Sequence, residues 1–259
     1  MNDVPLELLQ AIDTARHTAR HTAKQTARET ANDAANHDDP RPSPVVIGIA
    51  GPVAVGKTTL AAALQHATNG STRSTDGFLF SNRHLEALGI LDRKGFPESY
   101  DAQSLVSFLR AVHARPSIVG LNRYSHETFD IEPDPEPFLT ADVVIVEGVN
   151  ALQSAYRPHL GITVYLDADE QDVIGWYTER FRALTQQARE TGHGFYCRFA
   201  ALSADKLTDM ARAVWDAINA PNLHQHIKPT RDHADWVIRK AANHSLSVQR
   251  SPGTTKPFS

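Results

Sequence analysis

Four short apolar runs stand out along the chain: Val45–Ala50 (VVIGIA), Val143–Gly148 (VVIVEG), Ile162–Ala168 (ITVYLDA) and Asp235–Lys240 (DWVIRK). Their apolar residues, many of them β-branched, sit at consecutive rather than alternate positions. That is the pattern of strands buried on both faces. Between the runs, apolar residues recur at helical spacing in the segment opening GPVAVGKTTLAAALQ, and in Gln103–His113, Glu170–Gln187 and Ala204–Ala217. Strands alternating with helices predict an α/β fold of three layers, a mostly parallel central sheet with helices on both faces. The scheme needs a further strand within Asn69–Thr75 (NGSTRST). That stretch is polar and short, so an abbreviated edge strand is expected there.

The N-terminal region follows another pattern. From Thr14 it reads TARH TARH TAKQ TARE TAND. A helix advances ~100° per residue, so a period of four drifts slowly round it and the alanines form a slanted stripe. Side chains this small bury little area. A marginal helix outside the core is therefore expected over residues 1–36. His17 and His21 are four apart, but no carboxylate or cysteine completes a ligand set, and a solvated face accounts for them. The prolines of His37–Pro44 (HDDPRPSP) then stop any helix. The expected organisation is a low-complexity tail and linker over 1–43, one domain over 44–250, and a C-terminal tail over 251–259.

Composition narrows the function classes. The 259 residues include 26 basic and 30 acidic side chains, for a net charge of −4, and 41% are apolar. This is too apolar and too weakly charged for a disordered chain. The near-neutral balance argues against nucleic acid as the main partner. A single cysteine, Cys197, allows no intrachain disulfide. The longest nearly apolar stretch falls well short of the ~18 residues of a membrane span. The acidic N-terminus lacks a secretory h-region. Together these predict a cytoplasmic protein without a membrane partner.

The strongest motif lies directly after the first strand. Gly51, Pro52, Val53, Ala54, Val55, Gly56, Lys57 and Thr58 match G-x-x-x-x-G-K-[ST] in full. Such a loop wraps a phosphate so closely that side chains are excluded. Its N–H groups and the following helix N-terminus then face the anion. Lys57 brings a cation to the β/γ-phosphates and Thr58 a hydroxyl to Mg²⁺. The motif alone suits a switch, a motor or a small-molecule kinase. No N-K-x-D guanine signature and no strand ending in a conventional Walker B aspartate is present. Instead one strand ends in Glu147, which could hold Mg²⁺ through water or simply begin a turn. Asp76 in STDGF follows the weak strand to the same edge. It could accept a hydroxyl proton, although Asp-Gly by itself also marks an ordinary turn.

Taken together, IGIAGPVAVGKTTLA, STDGFL, RKGFPESYD, RYSH, VIVEGVNALQ, WYTERF and NLHQHIKPTRDHADWVIRKAANH resemble the type I pantothenate kinases, over about Val46–His244. These belong to the P-loop kinase group that also holds uridine kinase and phosphoribulokinase. The resemblance implies a P-loop kinase fold, a homodimer, and ATP- and Mg²⁺-dependent phosphorylation of pantothenate, the first step of coenzyme A biosynthesis. It implies Asp76 as general base and Lys57 and Arg180 at the reacting phosphate. The nucleotide site would use Gly51 to Thr59, with Thr59 after the motif, and His244 near the adenine. Lys94, Tyr124, His126, Tyr177 and Asn222 match the pantothenate contacts, while Thr58 and Glu147 would serve the metal.

The chain also departs from the family pattern. The repeat and linker replace a longer N-terminal region. Ala62 stands where many members carry an arginine associated with feedback binding of coenzyme A, so weakened inhibition is expected. Leu184 and Thr185–Gly194 differ from the usual aromatic lining near the acceptor, and aromatics return at Phe195, Tyr196 and Phe199. The segment between Ala151 and Ile162 is short. A related kinase with another small alcohol as acceptor therefore stays open, as does, more remotely, a non-catalytic nucleotide-binding regulator. His224 and His226 form an H-x-H pair with no further ligands nearby in sequence, and Cys197 is expected as a buried free thiol.

Overall fold

The computed structural model describes residues 4–30, 42–114 and 119–252. The main helices are α1 (Leu6–Thr30), α2 (Lys57–Thr68), α3 (Asn82–Ala87), α4 (Ala102–Ala114), α5 (Glu170–Thr191) and α6 (Ala204–Val214). The strands are β1 (Val45–Ala50), β2 (Ser71–Ser74), β3 (Val119–Ser125), β4 (Asp130–Phe138), β5 (Val143–Glu147), β6 (Ile162–Asp167), β7 (Trp236–Lys240) and β8 (Leu246–Arg250). Six of these strands form one sheet in the order β2-β5-β1-β6-β7-β8. The first five are parallel, and β8 closes the far edge antiparallel to β7. The α/β expectation holds, and the polar NGSTRST stretch supplies the short edge strand β2.

The two faces of the sheet belong to different cores. Val45, Ile47 and Ile49 of β1, with Val143 and Ile145 of β5, join a cluster with Leu60 and Leu64 of α2, Val173 of α5, Trp215 and the α1 residues. Val46, Val144 and Val146 face the other way, against Phe108 and Leu109 of α4 and Leu121 and Phe138 of the β3–β4 hairpin. Consecutive apolar residues in the sequence are what a strand covered on both sides requires. A third, smaller cluster joins Phe181 of α5 to Leu207 and Ala211 of α6.

Three expectations change. The N-terminal helix is not outside the core: Leu8 and Ile12 are fully buried in the large cluster, and Ala11 and Ala15 pack against it. The repeat itself contributes little to this. Thr14, Thr18 and Thr22 turn their hydroxyls back onto carbonyls four residues earlier, while His17 and His21 are exposed. The anchoring residues precede the repeat, where the small-residue stripe does not reach. Most of the expected linker lies outside the described residues. Second, α6 stops at Val214, and Trp215–Asn219 continues as a wider π-type turn rather than as α-helix to Ala217. Pro221 has no N–H to donate to the Ala217 carbonyl, so the regular ladder cannot continue there. Third, Cys197 is only half-buried, with its thiol against the Ala188 carbonyl at 3.5 Å.

The hairpin β3–β4 is absent from the apolar pattern. Its second strand reads DIEPDPEPF. Its ladder with β3 is irregular between Leu121 and Arg123, and prolines are tolerated where regular pairing is interrupted or on the free edge of a two-stranded ribbon.

Two substitutions test the packing. Leu8→Ala should lower the unfolding free energy by about 2–5 kcal/mol, the range for emptying a buried leucine site. Gly175→Ala, in the second turn of α5 where a Cβ would meet nothing within 4 Å, should raise it by about 0.5–1 kcal/mol. Urea unfolding reads both, and a silent Leu8→Ala would mean that α1 is not docked as described.

Candidate active site

All five parallel strands end on one edge of the sheet, where ligands bind in open α/β folds. β1 runs into the Gly51–Gly56 loop, β2 into Thr75 and Asp76, β5 into Glu147 and Gly148, and β7 ends at Lys240. The loop depends on missing side chains. A Cβ on Gly51 would lie 2.3 Å from the Leu166 carbonyl oxygen. Ala54 and Gly56 take left-handed conformations, with φ of 62° and 104°. Such turns bring successive N–H groups to one side, facing an anion. Helix α2 begins directly after, at Lys57, and Thr59 stands exposed in its first turn.

Lys57 is 8% exposed and donates from Nζ to the Pro52 carbonyl at 2.7 Å. Burial pushes its pKa down, opposed by the charges of Glu147 and Asp76. Thr58 donates from Oγ1 to Oε1 of Glu147 at 3.0 Å. Burial pushes the Glu147 carboxyl up, opposed first by Lys57. One close approach brings the two carboxylates to one place. A Cβ on Gly148 would fall 1.7 Å from the Thr75 hydroxyl, so only glycine lets the end of β5 pass the end of β2. Asp76 follows Thr75 and accepts a hydrogen bond at 3.2 Å from the hydroxyl of Tyr100, which is 4% exposed.

The other residues singled out in the sequence stand outside the parallel strands, on helices, loops and the β3–β4 hairpin. Arg180 is exposed on α5, and its charge is felt at Lys57, Tyr124 and His126. Lys94 donates to Oδ1 of Asn82 at 2.5 Å and to the Phe129 carbonyl at 2.7 Å, and lies 5.0 Å from the Tyr124 ring centroid. Tyr124 and His126 meet edge-on at 5.2 Å. Burial raises the Tyr124 phenol and lowers the His126 imidazole, the latter with help from Arg180. The phenol of Tyr177 is hydrogen-bonded to Asn219 and pushed up to about 12, chiefly by burial. Asn222 donates to the Gly95 carbonyl at 2.8 Å, while its own Oδ1 is buried with no partner among the described residues. A buried acceptor left open in this way suits a donor on a ligand. His244 stacks on Trp176 at 5.1 Å. The H-x-H pair divides: His224 bonds Glu170 at 2.9 Å, and His226 meets Phe96 edge-on.

Residues 46–183 match the model of the Phosphoribulokinase / Uridine kinase family. The chain belongs to this family. It is 42% identical over 221 residues to a pantothenate kinase of Shouchella clausii, covering 78% of this chain and 70% of the relative. A pantothenate kinase of Lactococcus lactis is 40% identical over 217 residues, covering 78% and 71%. Among solved structures, D-glycerate 3-kinase from Cryptococcus neoformans superposes with a TM-score of 0.57 at 13% identity, covering 91% of this chain and 99% of that one. That likeness concerns the fold, and it agrees with the mostly parallel sheet and its covering helices.

The structure also joins residues that local reading could not reach. Tyr100 sits within GFPESYD, and nothing about a lone tyrosine there announces a bond to Asp76. Asn82, which holds Lys94, belongs to a stretch with no motif at all. Asn150 donates to the same Gly95 carbonyl as Asn222, at 2.8 Å, so the two amides converge on one glycine.

Gly51→Ala tests the loop. The added methyl faces a backbone oxygen that cannot swing away, so ADP affinity should fall by about 1–3 kcal/mol. Calorimetric titration reads it, and an unchanged affinity would show that the loop can accept a side chain.

Proposed function

We propose that the chain is an ATP-dependent kinase that phosphorylates pantothenate to 4′-phosphopantothenate, the first step of coenzyme A biosynthesis. One observation carries this reading. The phosphate loop with Lys57, Thr58 and Glu147 shares a sheet edge with Asp76, and the charge of Asp76 is felt at Lys94, Tyr124 and His126. The named relatives supply the acceptor. Pantothenate carries a carboxylate, an amide and two hydroxyls, so cations and neutral hydrogen-bonding groups together suit it.

In this reading the Gly51–Thr59 loop holds the triphosphate and Lys57 neutralises its outer oxygens. Asp76 takes the proton of the acceptor hydroxyl as the oxygen attacks the γ-phosphorus. The bond to the β-phosphate oxygen breaks and ADP leaves. Arg180 offers a planar, fixed charge to the phosphoryl oxygens. The donor set of Thr58 and Glu147 fits Mg²⁺, which prefers hard oxygens with phosphate and water completing its shell. When bound, the ion would add positive charge at the phosphates. His244, stacked on Trp176, is assigned to the adenine end. The kinase domain is proposed to span 44–250, with α1 docked on its core. The protein is proposed to be cytoplasmic and to form a homodimer, as its resemblance implies.

A second reading has one observation in its favour. A cavity of about 170 Å³ adjoins His126 and is walled by Leu184, Ala188, His193, Phe195 and Tyr196. It would admit a longer or different small alcohol. Purified protein with Mg-ATP and a panel of alcohols, read by mass spectrometry, separates the two. A phosphate adduct of pantothenate is expected. A product from another acceptor only would overturn the first reading.

Asp76→Asn should lower kcat by about 10²–10⁴-fold, the usual worth of a positioned base, with ADP binding retained. Wild-type turnover in that variant would remove Asp76 from the mechanism. Ala62 is exposed on α2 and offers no cation, so coenzyme A should inhibit weakly, and Ala62→Arg should strengthen inhibition. Strong inhibition of the unaltered protein would refute that expectation.

A further inference from the structure

Lys240 ends β7 and has no place in the mechanism above. Its side chain is buried, with 8% of the residue exposed. The ammonium donates to the Val55 carbonyl at 3.0 Å and lies 4.0 Å from the Trp176 ring centroid. It rests against the phosphate loop so closely that a Cβ on Gly56 would be 3.3 Å from Nζ. Among the described residues no carboxylate forms an ion pair with it, and burial alone shifts its pKa, downward. Lysines are almost never buried unless paired, because an isolated charge loses its hydration. A carbonyl and an aromatic face compensate only in part.

The position of this cation is informative. Across a trans peptide the C=O and the next N–H point in opposite directions. Holding the Val55 carbonyl outward therefore aims the Gly56 N–H into the loop. The same ammonium puts a positive charge beside the part of the chain shaped for an anion. A small cavity of about 40 Å³ between Gly56, Thr59, Leu166 and Leu246 opens next to it. Trp176 packs on the ammonium and His244 packs on Trp176, so the lysine is braced from the adenine end of the site.

We infer that Lys240 is a positioning residue of the nucleotide site. It pins the Val55–Gly56 peptide in its phosphate-binding orientation, and it adds the charge that the bound phosphates neutralise. The missing counter-ion of Lys240 is thus the nucleotide itself. This rests on the nucleotide reading above, and the experiment separates the two.

ADP affinity is measured by calorimetry for the full-length protein and for Lys240→Met and Lys240→Arg, with KM for ATP and for pantothenate alongside. Binding of ADP by the unaltered protein tests the nucleotide reading, and its absence would overturn both. Given binding, Lys240→Met should weaken ADP by about tenfold or more, equivalent to ~1.4 kcal/mol. It should raise KM for ATP in step and leave KM for pantothenate near its original value. Lys240→Arg, which keeps charge and donor, should recover most of the loss. ADP affinity in Lys240→Met within about twofold of the original would overturn the inference. So would equal losses for ATP and pantothenate with no recovery by arginine. If Lys240→Met does not fold, Lys240→Gln keeps a donor for Val55 without the charge. An intermediate loss of ADP affinity is then expected, and full affinity would overturn the role of the charge.

Discussion

The end of β5 can pass the end of β2 only because Gly148 has no side chain: a single methyl there would lie 1.7 Å from the Thr75 hydroxyl. The rest of the site depends on that contact. It sets Glu147, at the last position of β5, opposite Ser74, at the last position of β2. Asp76 follows two residues later. Thr58 on α2 reaches Glu147, and Tyr100 reaches Asp76. Two carboxylates from strands distant in sequence thereby face one phosphate loop, with the parallel sheet as a rigid frame beneath them.

Charge in the site is concentrated and partly buried, quite unlike the near-neutral average of the chain. Lys57, Lys94, Lys240 and Arg180 supply positive charge, and Asp76 and Glu147 answer it. Burial works against ionisation at Lys57 and at Glu147, while their mutual attraction works for it. A charged nucleotide arriving between such groups replaces lost hydration with fixed partners, which is how preorganised sites favour a developing charge. The net charge of −4 carries no trace of this arrangement.

Much of the frame was legible because both of its signals are local. The strands β1, β5, β6 and β7 were readable as short, largely apolar runs, and the loop at Gly51–Thr58 by its spacing. Family resemblance then pointed to Arg180, Tyr124, His126 and Asn222, which carry no local signal of their own. The β3–β4 hairpin was not legible, since its prolines and acids hide a ribbon whose Leu121 and Phe138 are buried against α4. Nor was the docking of α1: the repeat draws attention, whereas Leu8 and Ile12 ahead of it do the packing.

The sequence by itself determined the kind of fold and the presence of a phosphate loop. Both follow from short-range facts, namely which residues are apolar in succession and where glycine, lysine and threonine stand along one loop. Tertiary structure alone decided which distant side chains meet. The bond from Tyr100 to Asp76, the pairing of Lys94 with Asn82 and the lodging of Lys240 between Val55 and Trp176 join residues far apart in the chain or unmarked by any motif. Such contacts are set by how strand ends and loops come together in space, and periodicity along the chain carries no information about that.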